Sequence, residues 1–134
     1  AIHDELLSPV GLSENLLALG LVETELEEDE FFCAEIYMES YPKLSVYDGV
    51  ALAMAKCRRI TLLTGDGPLR RAAQREGISV MGTIGILDQL YEGVYIGKEE
   101  YLECLNRLQK YNGGKIRLPK KELELRIKRA LKAV

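Results

Sequence analysis

Leu44-Ser45-Val46-Tyr47-Asp48-Gly49-Val50-Ala51-Leu52-Ala53-Met54-Ala55-Lys56, followed by Ile60-Thr61-Leu62-Leu63-Thr64-Gly65-Asp66, is the stretch that decides the fold. Ser45 is a natural N-cap, and Asp48 stands three residues later, where its carboxylate can reach back to the cap. Beyond Asp48 the sequence is apolar nearly all round a helix until Lys56, which predicts a buried helix packed against a sheet. Residues 60–63 are mostly apolar and of strand length, which predicts a parallel strand covered on both faces. Thr64-Gly65-Asp66-Gly67-Pro68 then forms a tight turn. Pro68 suits the first turn of a helix over residues 69–76, closed by Gly77.

The same alternation continues on both sides. Residues 78–81 predict a second short strand, Gly82 ends it, and Thr83 caps a helix over 84–91. Upstream, residues 3–9 read as a helix end stopped before Pro9. Ser13 caps a short helix over 14–19 that Gly20 closes, and residues 21–26 alternate well enough to predict a strand. The acid run Glu27-Glu28-Asp29-Glu30 suits the positive start of a helix that Pro42 ends, with Phe32 and Ile36 on one face. Downstream, Tyr101, Leu102, Leu105 and Leu108 make the apolar side of a helix over 98–111. Asn112-Gly113-Gly114 breaks the chain, and Leu118-Pro119-Lys120 opens a last, basic helix. Helix and strand in alternation imply an α/β fold with a parallel sheet and right-handed crossovers. One domain is expected, with an α/β body over 1–97 and a helical extension of the same domain over 98–134.

Composition narrows the classes of function. The chain has 134 residues, 47% hydrophobic and 29% charged, which is ordinary for a globular domain and argues against disorder. No apolar run approaches membrane-span length, and the first residues lack a signal-peptide pattern, so a cytoplasmic protein is expected. Cys33, Cys57 and Cys104 form no CxxC pair, and His3 is the only histidine. A thiolate nucleophile and a zinc site are therefore disfavoured, and the cysteines read as reduced packing residues. Charge is uneven: residues 1–50 hold twelve acids and one base, while residues 115–134 hold eight bases and two acids. The basic tail reads either as a surface for a phosphate backbone or acidic partner, or as a solvated helix face.

The chemistry concentrates on two aspartates. Ligands of an open parallel sheet bind beyond the carboxyl ends of its strands, and Thr64-Gly65-Asp66 is such an end. A helix feeding that strand runs back antiparallel to it, so its first turn, with Asp48, is expected at the same edge. Paired carboxylates there suit a hard cation such as Mg²⁺ or Mn²⁺, with Gly65 permitting close approach. Each aspartate also has a plain reading as a helix cap.

These residues resemble a known family. Leu44-Ser45-x-x-Asp48-x-x-Ala51-Leu52-Ala53-x-Ala55, then Leu62-Leu63-Thr64-Gly65-Asp66-x-x-Leu69-Arg70-x-x-Ala73, then Gly77-Ile78-x-Val80-x-Gly82-Thr83-x-Gly85-Ile86-Leu87, resembles the later half of a PIN domain, in particular the prokaryotic toxin–antitoxin PIN proteins of the VapC kind. The resemblance implies a three-layer α/β/α, Rossmann-like parallel sheet and an Mg²⁺- or Mn²⁺-dependent ribonuclease. Asp48 and Asp66 match the family's third and fourth acids, and Glu5 in Asp4-Glu5-Leu6-Leu7 is the best match to its second. Thr64 matches a hydroxyl supporting the turn, and Arg70 is a neighbouring base for phosphate. The family's first acid follows an upstream strand that these 134 residues do not contain, and an open strand edge invites self-association into a homo-oligomer. The implied partners are RNA and an antitoxin protein, with no membrane. The alternative is a catalytically inactive PIN-like module that binds RNA or protein through its basic tail. A nucleotide-binding α/β protein ranks last, because the chain has no P-loop and no GxGxxG.

Overall fold

Ser45 begins the central helix as its cap signature predicts. The Ser45 hydroxyl accepts the Asp48 N–H at 3.1 Å, and the Ser45 N–H donates to Asp48 Oδ2 at 3.2 Å. The computed structural model describes residues 10–114 and 117–132. Its elements are α1 (Leu12–Ala18), α2 (Glu28–Ser40), α3 (Val46–Arg58), β1 (Leu62–Leu63), α4 (Gly67–Arg75), β2 (Val80–Met81), α5 (Thr83–Glu92), α6 (Lys98–Tyr111) and α7 (Lys120–Lys132). The protein is thus mostly helical α/β. Among the described residues the sheet has two strands, joined by Leu62 N–H to Ser79 O at 2.9 Å and Thr64 N–H to Met81 O at 3.0 Å, the even stepping of a parallel pair. A parallel pair needs a crossover connection, and α4 supplies it.

The chain divides into two compact units, residues up to Leu62 with Asp66–Val80, and Leu63–Gly65 with Met81 onward. In the first, α2 packs along α3 and α3 meets α4. Their contact buries Ala34, Tyr37, Leu52, Ala53, Leu69 and Ala73. Gly49 lets the helices close: a Cβ there would stand 2.9 Å from Met38 Cγ. In the second, α6 packs along α7 and meets α5, and Ile84, Leu87, Tyr101, Leu105, Leu123 and Ala130 form a separate cluster.

Several expectations need correction. Residues 21–26 form no strand; among the described residues no strand pairs with them, and Leu21 and Val22 stay exposed. The run 60–63 is not covered on both faces: Leu62 is buried, but Ile60 and Leu63 are 54% and 60% exposed. Successive side chains of a strand point to opposite faces, and only the face that carries Leu62 is buried. The central helix is likewise buried on one side, with Val46 and Tyr47 exposed. Ser13 does not cap α1; Gly11 holds that position with φ 84°, and Ser13 is buried inside the helix. Phe32 and Ile36 do share a face of α2, but it points outward, and the buried face carries Glu30, Ala34 and Tyr37.

Candidate functional site

Both candidate aspartates stand at helix starts, for local reasons. Asp48 is the third residue of α3 and closes the capping box with Ser45. Asp66 is the N-cap of α4, and its Oδ2 accepts the Leu69 N–H at 3.0 Å, with Pro68 in the first turn. The cap readings are therefore realised at both positions. Asp48 is half-buried and Asp66 exposed. A carboxylate offers roughly four lone-pair sites, so a cap bond does not by itself exhaust either side chain. Both residues belong to the first unit, in which Lys56, near the end of α3, donates from Nζ to the backbone O of Glu76, the C-cap of α4, at 2.7 Å.

The other candidates are less concentrated. Thr64 lies after β1 and donates its N–H to Met81 O at 3.0 Å. Arg70 is half-buried in α4, without an ion pair among the described residues. Glu5 lies outside the described residues, as does His3. Among the described residues no group of three His, Cys, Asp or Glu side chains could hold a metal ion. A polar cleft of about 560 Å³ lies in the first unit, lined by Lys56, Arg59, Thr61 and Ser79. It opens at the amino ends of β1 and β2, whereas Asp66 follows the carboxyl end of β1.

Two polar networks were not legible in the sequence. Glu30 is 2% exposed, and its carboxylate is met by one guanidinium and one backbone N–H. Arg58 grips it as a fork, Nε to Oε2 at 2.6 Å and Nη2 to Oε1 at 2.8 Å, and the Glu27 N–H adds a bond of 2.9 Å. The Arg58 hydrogen bond, then that from Glu27, hold the Glu30 carboxyl below the usual carboxylate range against the opposing effect of burial. Arg58 also donates to Thr24 Oγ1 at 2.7 Å and Glu25 O at 2.8 Å, so a side chain anchors the segment that was expected to be a strand.

In the second unit Asp88 accepts from Tyr101 Oη at 2.6 Å and from Arg126 Nε at 2.8 Å. Arg126 continues to Glu122 Oε2 at 2.5 Å, and Tyr101 stacks on Tyr91 with centroids 4.2 Å apart. Burial, then the bond to Asp88, pushes the Tyr101 phenol up. The Glu122–Arg126 spacing was the one local signal for this network. The cysteines are free thiols; Cys57 and Cys104 are exposed, so they are not the core packing residues expected. Desolvation, then the neighbouring Cys33, pushes the Cys57 thiol up, away from the thiolate a nucleophile needs.

Among the described residues no helix is long and apolar enough to cross a membrane. No curated protein and no solved structure matches the chain. A family model described as a PIN domain (DUF3368) matches residues 12–132. That span takes in every described helix and both strands, from Leu12 at the start of α1 to Lys132 at the end of α7, and such domains have a nuclease-like fold and usually use divalent metals. The chain therefore belongs to the PIN domain family.

Proposed function

We propose that the protein is a PIN-type endoribonuclease on a three-layer α/β/α body, dependent on Mg²⁺ or Mn²⁺ and related to toxin–antitoxin systems. Asp48, Asp66 and Glu5 hold the cation, Thr64 supports the turn that carries Asp66, and Arg70 meets an RNA phosphate. The partners of the reading are RNA and an antitoxin protein. The observation that carries it is the pair of helix-start aspartates within one unit of a PIN domain, each using Oδ2 for a backbone N–H. The Lys56–Glu76 bond supports their nearness, because helices that pack and end together begin toward the same end. The donor chemistry fits: carboxylate oxygens are hard ligands, and the cap bonds fix their direction beforehand. When bound, the cation would supply the Lewis acidity that activates water and offsets charge on the phosphodiester. The chain's own part is to orient two anions and to set a guanidinium where the phosphate lies.

At the N-cap Asp66 and at Asp48, the third residue of α3, an asparagine amide oxygen accepts the same backbone N–H but carries no charge. Asp48→Asn and Asp66→Asn in the full-length protein should therefore leave circular dichroism unchanged and abolish metal-dependent RNA cleavage. Both should also weaken Mn²⁺ binding followed by electron paramagnetic resonance. Undiminished cleavage and binding in the two variants would overturn the site.

A further inference from the structure

Two outward helix faces match each other residue for residue. On α2, Glu28, Phe32, Glu35 and Glu39 are all exposed; on α7, Lys121, Leu125, Lys128 and Lys132 are all exposed. Both sets follow one spacing, i, i+4, i+7 and i+11, which keeps four residues on a single side of an α-helix over about 16 Å. In each set three like charges surround one apolar residue at the second place. The charges are opposite in the two sets. The buried sides point the other way, with Glu30, Ala34 and Tyr37 on α2 and Leu123 and Ala130 on α7. None of the six charges takes part in an ion pair among the described residues. Ile36 widens the apolar part of the first face at 61% exposure, and Arg129 adds a fourth cation to the second.

We infer that the occupant of each face is the other face on a second copy of this chain, so that α2 of one protomer packs along α7 of the next. A strand of RNA would suit the lysines but would leave Phe32 and Ile36 uncovered among glutamates that repel it. A second copy covers both faces at once, bringing Leu125 against the apolar part of α2 and lysines against glutamates. Opposite charge at matched positions fixes register and orientation, while like charge blocks α2 on α2 and α7 on α7. Each protomer carries one face of each kind, so the contact is reciprocal in a dimer or sequential in a ring or filament. The pairing does not rest on the nuclease reading.

Sedimentation velocity of the full-length protein tests it. At low salt a dimer or larger species is expected, dissociating at high salt as the charges are screened. Glu35→Lys/Glu39→Lys and Lys128→Glu/Lys132→Glu each place like charges opposite one another, and each should weaken self-association by at least ~100-fold. Mixing the two variants recreates opposite charges at both contacts and should restore the assembly. A wild-type monomer at low salt, variants that assemble like wild type, or a mixture that stays monomeric each overturn the pairing. A monomeric wild type whose binding to single-stranded RNA is lost in Lys128→Glu/Lys132→Glu overturns it in favour of a nucleic-acid face.

Discussion

Each of the two units contains one carboxylate gripped by an arginine from a later helix, and the two grips do different work. Glu30 is 2% exposed, and Arg58 directs two further N–H groups to Thr24 and Glu25, residues in coil. Asp88 and Arg126 are each 22% exposed, and their partners Tyr101 and Glu122 sit on helices already packed together. The first arginine substitutes for strand pairing: it holds a segment that has no ladder of its own. The second ties α5, α6 and α7 across a contact that apolar burial already makes. An ion pair is thus most consequential where the backbone around it lacks other partners.

The largest expected effect tests whether the two units are energetically distinct. Leu52→Ala in the first cluster and Leu105→Ala in the second, both at fully buried positions, should each cost ~2–5 kcal/mol. Hydrogen exchange should then show loss of protection in α2–α4 for Leu52→Ala and in α5–α7 for Leu105→Ala. Uniform loss in both variants would break the comparison. Arg58→Ala ranks next. It strands a buried carboxylate and releases residues 24–25, so its thermal midpoint should fall by several degrees more than that of Arg126→Ala.

Acid sharpens the same contrast. The Glu30 carboxyl is held below its ordinary value of 4.5 in the folded protein. Its contribution to stability is therefore present above that value and is lost as pH falls through the lower folded value. Denaturant melts below pH 4.5 should show wild type losing stability more steeply than Glu30→Gln. The smallest effect belongs to the cap: Ser45→Ala should cost about 1 kcal/mol in a denaturant melt while leaving both networks intact.

What could be read from sequence was what is written locally. The capping box of Ser45 and Asp48, the cap of Asp66 before Pro68, and the helix over 98–111 each lie within one turn or one periodic run, and all three form. Two of the three acids assigned to the candidate site were legible as helix starts for the same reason. Glu30 was not legible as a buried anion, because its partner lies 28 residues away and an acid run equally suits a helix dipole. Nor could alternation reveal that residues 21–26 lack a strand to pair with. Phe32 and Ile36 were recognised as one face, but periodicity alone does not say which side of a helix meets the core.

The caps on α3 and α4 also bear on the order of events when the chain folds. Acids gathered for a cation usually repel one another until it arrives, so the empty protein is loosened by its own ligands. Asp48 and Asp66 each already accept a backbone N–H from the start of a helix. In the proposed reading, a cation then meets two carboxylates whose direction the helix starts have already set.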